Sequence, residues 1–109
     1  MQKDLSRKGT ECADVAFPIH EYQVKQGVQK YIYHRPGHGE GVEGHQPPYI
    51  ALGDYTMLRK GMCFSEEPGL YDSEHGCGFN WSDTVVVATK SGYRMSRVPY
   101  SKDWCWLKL

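Results

Sequence analysis

The run His34-Arg35-Pro36-Gly37-His38-Gly39-Glu40-Gly41-Val42-Glu43-Gly44-His45 sets three imidazoles and four glycines in one short segment. Imidazole changes charge near neutral pH and is the commonest metal ligand. Glycine lets the backbone turn sharply or come close to a ligand. Further on, Glu66-Glu67-Pro68-Gly69 carries two carboxylates into a turn. Imidazole and carboxylate are donors for a divalent metal, and they also move protons in hydrolysis. His34 and His38 lie four apart, which would align them on a helix, but Pro36, Gly37 and Gly39 oppose one. The segment is expected to be a loop, or an irregular strand opening into one. The competing reading of each histidine is a structural or solvated ring. Glu40 and Glu43 read as solvated loop charges, and His20 and His75 as surface residues. In a strand, neighbours face opposite sides, so Glu66 should face away from Glu67.

The elements that must position these groups divide into an early helical part and a later strand-rich part. Leu5, Cys12, Val15, Ile19, Tyr22 and Val24 recur at helical spacing, with Gly27 as the stop signal. Pro18 should kink or split that helix. Val28 to Tyr33 reads as a short strand leading into the histidine segment. Pro47-Pro48 forces extended backbone before Tyr49-Ile50-Ala51-Leu52. Gly61 to Ser65 and Thr84 to Thr89 read as strands. Ser91-Gly92 signals a turn into a return strand from Tyr93 to Val98. Tyr31, Tyr33, Tyr49, Tyr55 and Tyr71 are expected in core and cross-strand packing. Trp104, Trp106 and Leu107 are expected to dock onto the body or onto a partner. The chain therefore reads as one α+β domain over 1–109, mostly helical over 1–27 and mostly strands and loops over 28–109. The N-terminal helix should cover a curved, mainly antiparallel sheet.

Composition excludes several classes. A chain of 109 residues buries about 60–70% of its unfolded surface, enough for one modest core. Its 13 basic and 13 acidic residues balance without a basic cluster, which argues against a nucleic-acid binder. No apolar run approaches membrane-spanning length. The first residues lack the apolar stretch of a secretion signal. Cys12, Cys63, Cys77 and Cys105 form no Cys-x-x-Cys pair, so reduced thiols and a cytoplasmic location are expected.

Three blocks together carry a family resemblance: His34 to Pro48, then Lys60-Gly-Met-Cys-Phe-Ser-Glu-Glu67-Pro-Gly-Leu-Tyr71, then Ser82-Asp83-Thr84-Val85-Val86-Val87. In content and order they resemble the C-terminal half of the catalytic domain of creatinase, aminopeptidase P and Xaa-Pro dipeptidase, the pita-bread metallopeptidases. The resemblance implies half of a pita-bread fold. It implies that His38 and Glu67 bind metal, and that His34 and His45 are active-site histidines, His45 contacting substrate. It implies a divalent ion, whether manganese, zinc, cobalt or iron, and a peptide or small amide or guanidino substrate.

Two departures qualify this. The family's second late metal-binding glutamate falls at Ser82, and serine is a poor ligand for a hard cation. Its two metal-binding aspartates come from an earlier strand pair, whereas Asp4 and Asp14 here lie in a helical pattern. The expectation is a fragment or truncated homologue of such a hydrolase, with an incomplete metal site and little activity alone. The alternative is a non-catalytic module that kept the fold and binds a small molecule or protein. Either way, a surface that normally meets the other half would be left open, so a homodimer is expected.

Overall fold

Cys12, Val15, Ala16 and Ile19 are buried along one side of α2 (Cys12–Lys25). They pack with Ile50, Leu58, Phe64 and Val87 into a single core cluster. Burying a side chain such as Phe64 or Ile50 contributes about 1.5–3 kcal/mol. In the computed structural model, which describes residues 1–99, 101 and 103, a short α1 (Gln2–Leu5) precedes α2. Strands β1 (Gly37–Glu40), β2 (Gln46–Ile50), β3 (Cys63–Glu66), β4 (Leu70–Asp72), β5 (Cys77–Phe79), β6 (Asp83–Val86) and β7 (Tyr93–Arg94) follow. The sheet order is β2-β1-β3-β6-β7, every neighbouring pair antiparallel, with β4 and β5 as a separate hairpin. This is the expected α+β architecture. Trp104, Cys105, Trp106 and Leu107 lie outside the described residues.

Several local expectations are corrected. The early helix is broken not at Pro18 but between Ser6 and Glu11. There the chain is tied to the strand region: Lys8 N donates to Ala88 O (2.8 Å), Gly9 N to Leu58 O (2.9 Å), and Leu58 N to Thr10 O (2.8 Å). Gly9 takes φ +87°, which interrupts any helix. Helix α2 runs through Pro18 without a split. The proline removes the bond to the Asp14 carbonyl, four residues back, and Asp14 is exposed. Loop carbonyls serve the helix start: Cys12 N donates to Thr56 O and Ala13 N to Asp54 O. At its end, Gly27 N donates to Val24 O and Val28 N to Gln23 O, with Gly27 at φ +73°. That pairing closes the last turn. Val28 to Tyr33 is not a strand; it holds a single 3₁₀ turn, Gln29–Tyr31. The return strand is confined to Tyr93–Arg94. Tyr33 and Tyr55 are exposed rather than buried in the core, although the Tyr33 ring stacks on Tyr71.

Register divides the sheet into two faces. Gly39 pairs with Phe64, Phe64 with Val85, and Val85 with Arg94. Paired residues point to the same side, so this row faces α2. His38, Ser65 and Thr84 belong to the other row, as do Glu40, Cys63 and Val86. The sheet thus spends one face on the core and presents the other as a polar floor. Glu66 falls on the core side, nearly buried, and pairs with Arg94. Glu67 falls on the polar side.

Candidate metal centre

His38 sits at the centre of β1, flanked by glycines that close contact requires. A Cβ at Gly37 would lie 2.2 Å from the Ser65 carbonyl oxygen, and one at Gly39 would lie 2.6 Å from that of Gln46. These glycines let β1 lie tightly against its neighbours. The histidine segment is therefore a short strand that bulges after His38, where the register with β2 shifts around the cis Pro47-Pro48 pair. Strand β2 is an edge strand, which tolerates proline. His38 N donates to Ser65 Oγ at 2.9 Å, and Glu67 N donates to Pro36 O at 2.8 Å. These backbone bonds hold the two side chains on one face.

His38 is 5% exposed. Its Nδ1 contacts Gly39 O at 3.1 Å, and its Nε2 lies 2.9 Å from Glu67 Oε1. The carbonyl can only accept, so Nδ1 carries a proton and Nε2 is the atom presented to the carboxylate. An imidazole nitrogen and a carboxylate oxygen this close could share one divalent cation. The His45 ring lies tilted against His38, with centroids 3.8 Å apart and planes 41° apart. One ligand atom from each of His38, His45 and Glu67 lies within 4.8 Å of the other two. Two imidazoles and a carboxylate suit manganese, zinc, cobalt or iron. His45, expected as a substrate contact, therefore stands within reach as a third ligand.

His34 borders the same space in a different state. Its Nδ1 lies 2.6 Å from Arg35 O and its Nε2 3.0 Å from Tyr71 OH. Asn80 Nδ2 donates to the same phenol oxygen at 3.1 Å. With a carbonyl on one side and a hydroxyl on the other, both ring nitrogens of His34 are engaged. His34, Arg35, His38, His45, Glu67 and Asn80 together line a cavity of about 400 Å³. All four expected site residues meet there. Arg35 and Asn80 were not expected at the site, since polar residues around a turn carry no periodic signal, and Tyr71, expected in core packing, instead turns its hydroxyl to His34 and Asn80. Glu40 is not a solvated loop charge; it is half-buried on the polar sheet face and accepts from Thr84 Oγ1 at 2.8 Å.

Ser82 lies one residue before β6. The β3–β6 register pairs Glu66 with Asp83; continued one step beyond the strands, it would set Ser82 opposite Glu67. Asp83 accordingly faces away, and its Oδ1 accepts the Thr84 and Ser96 amides. Asp4 and Asp14 lie in α1 and α2, and Asp4 is engaged with Lys3 and the N-terminus. A second group, Asp72, Glu74 and His75, lies on the β4–β5 turn. Asp72 closes that turn by accepting the amides of Glu74 and His75 and contacting His75 Nδ1. His75 is exposed, as expected.

An antiparallel sheet backed by a helix gathers histidines and a carboxylate that could hold a metal ion on its open face. The chain belongs to metallopeptidase family M24, whose model matches residues 3–89. It is 43% identical over 91 residues to an Xaa-Pro dipeptidase of Lactobacillus helveticus and 38% identical over 91 residues to that of Lactobacillus delbrueckii subsp. lactis. Each alignment covers 84% of this chain and 24% of the relative. Among solved structures, it is similar to the dipeptidase PepE of Mycobacterium ulcerans, with TM-score 0.84 and 34% identity over 90% of this chain and 26% of that one. It is also similar to the Xaa-Pro dipeptidase of Bacillus anthracis, with TM-score 0.85 and 25% identity over 92% and 28%. The chain thus spans about a quarter of the length of these relatives. The match to pita-bread peptidases agrees with the fold expected from the sequence.

Proposed function

We propose that this chain carries the C-terminal metal-binding part of an Xaa-Pro dipeptidase-like hydrolase, as one domain over 1–109. His38 and Glu67 hold a divalent ion, and His34 and His45 border the substrate. One observation carries this reading: the convergence of His38, His45 and Glu67 on one cavity. Manganese, zinc, cobalt and iron all suit this donor set. A bound ion of this kind polarises a scissile carbonyl and lowers the pKa of water. The chain's own residues set the geometry. Gly39 O orients His38 so that Nε2 faces the ion's position. Arg35 O and Tyr71 OH hold the His34 ring at the cavity wall.

The site is incomplete. With Ser82 opposite Glu67 and no aspartate pair among the described residues near the centre, the ion is held by few ligands and the chain alone has little activity. The test is hydrolysis of glycyl-proline with excess manganese, which should give at most trace turnover. Turnover at an ordinary enzyme rate, about 1–10³ s⁻¹, that disappears in His38→Ala would refute incompleteness.

Unmet surface also supports a homodimer. Phe17, Tyr22 and Val24 are exposed on α2, and Phe79 on β5, and large exposed apolar groups mark contact surfaces. Sedimentation at micromolar concentration should show two copies; a monomer would contradict this. No helix among the described residues is long and apolar enough to cross a membrane. The free thiols Cys12, Cys63 and Cys77 suit the cytoplasm.

A further inference from the structure

The fold gathers cations that the sequence keeps apart. Arg7 and Lys8 lie in the break between α1 and α2, Arg59 and Lys60 just before β3, and Lys90 between β6 and β7. Backbone bonds draw these three segments together. Arg7 forms a parallel bridge with Ala88, and Lys8 N donates to Ala88 O at 2.8 Å. Gly9 N donates to Leu58 O, next to Arg59, and Gly61 N donates to Val87 O at 2.9 Å. Gly61 takes φ +90°, which turns the chain sharply after Lys60. Lys90 stands two residues past Ala88.

All of these basic residues are exposed. Among the described residues, no carboxylate forms an ion pair with any of them. Arg7 Nε reaches only the neutral Thr10 Oγ1, at 3.4 Å. Glu11 stands at the margin, bridged through its backbone to Met57. The whole chain has no net charge, so this surface is positive against a remainder that is negative. Crowding like charges destabilises a folded chain by self-repulsion, and an anionic partner relieves it.

Two observations favour an acidic protein segment over a polyphosphate. The positive surface is one compact patch on a neutral chain, whereas nucleic-acid binders spread contacts over about 6–10 phosphates. Met57 is 53% exposed and lies two residues from Arg59, and protein interfaces are enriched in methionine and arginine. The two arginines also offer planar forks that match carboxylates in two-point contact. We propose that this patch docks an acidic segment of a partner protein, with its carboxylates over Arg7, Lys8, Arg59, Lys60 and Lys90 and an apolar side chain on Met57. The patch shares no residue with the His38 cavity, so the docking is independent of metal and peptide binding.

The test follows fluorescence anisotropy of a short labelled peptide, glutamates around a central leucine, titrated with the full chain. Binding should weaken by about tenfold or more as salt rises from about 50 to about 500 mM, because exposed charges are screened. The triple variant Arg7→Gln, Arg59→Gln, Lys60→Gln should weaken it by about tenfold, the combined size of several exposed pairs. The double variant Lys8→Gln, Lys90→Gln should weaken it by about threefold or more. Lys25→Gln, exposed on α2, and His38→Ala should leave it unchanged. The patch residues lie outside the core, so both patch variants should melt no lower than wild type. No binding of the peptide by the wild-type chain, equal binding of a lysine peptide, insensitivity to salt, or binding that survives both patch variants would overturn the proposal. Tighter binding of an oligothymidylate or of phosphatidylserine vesicles than of the peptide would overturn it in favour of a phosphate-bearing partner.

Discussion

Replacing Ser82 by glutamate should rebuild part of the metal centre, at a cost to the metal-free fold. Directly opposed residues in an antiparallel pair have Cβ atoms about 4.5–5.5 Å apart. The register that joins Glu66 to Asp83 brings position 82 to that distance from Glu67. Without metal, two carboxylates about 5 Å apart repel by about 3 kcal/mol at an effective dielectric of about 20. Ser82 is exposed, so screening should reduce this to about 1 kcal/mol or less. With metal, the added anionic oxygen should strengthen the proposed site of His38, Glu67 and His45, and the repulsion is relieved. A gain of at least about tenfold in zinc or manganese affinity, about 1.4 kcal/mol, is expected for Ser82→Glu. Urea unfolding with and without metal reads both effects: the variant should be less stable than wild type in chelator and gain more from added ion. Ser82→Gln should show neither effect, because it lacks the charge. Unchanged metal affinity together with unchanged metal-free stability would mean that position 82 does not face Glu67, and the register argument would fail.

Gly37→Ala should destabilise the fold by about 3 kcal/mol or more, because its Cβ would meet a backbone oxygen at 2.2 Å; thermal melting of the variant checks this, and a loss below about 1 kcal/mol would contradict it. Burial, followed by the nearby Asp54 charge, pushes the Cys12 thiol up to about 12 from 9.0. The folded state therefore favours the protonated thiol, and stability present below pH 9 should fall as pH rises toward 12. Iodoacetamide should modify exposed Cys77 while sparing Cys12 in the folded chain, with mass spectrometry as the readout. At Asp54, burial opposes ionisation, but hydrogen bonds from Thr56 and the Tyr49 amide outweigh it and hold the carboxyl below its ordinary range. Its contribution is present above the ordinary carboxylate pKa and lost as pH falls through the lowered folded value. Asp54→Asn should cost about 1–2 kcal/mol at neutral pH, and the difference from wild type should shrink in acid when both are unfolded with urea.

The sequence carried the site better than its framework. Two glycines beside His38 and the order of the three blocks pointed to the cavity that now contains His34, His38, His45 and Glu67. Alternation alone foretold that Glu66 turns away from Glu67, because strand geometry has a fixed period. Where tertiary contacts decide, local signals failed. The break between Ser6 and Glu11 follows from bonds to Leu58 and Ala88, remote in sequence. Pro18 costs one hydrogen bond at an exposed turn, too little to split a helix whose other side is core. The hairpin of β4 and β5 hides in a polar stretch, where only Gly76 at φ +64° and the Asp72 turn mark the reversal.

The most direct test of the central claim is calorimetric titration of the chain with zinc, in two buffers of different ionisation enthalpy. The account predicts one ion per chain, removable by dialysis against a chelator. Uptake should be lost in both His38→Ala and Glu67→Gln. No uptake by the wild-type chain, or uptake that survives both substitutions, would contradict the account.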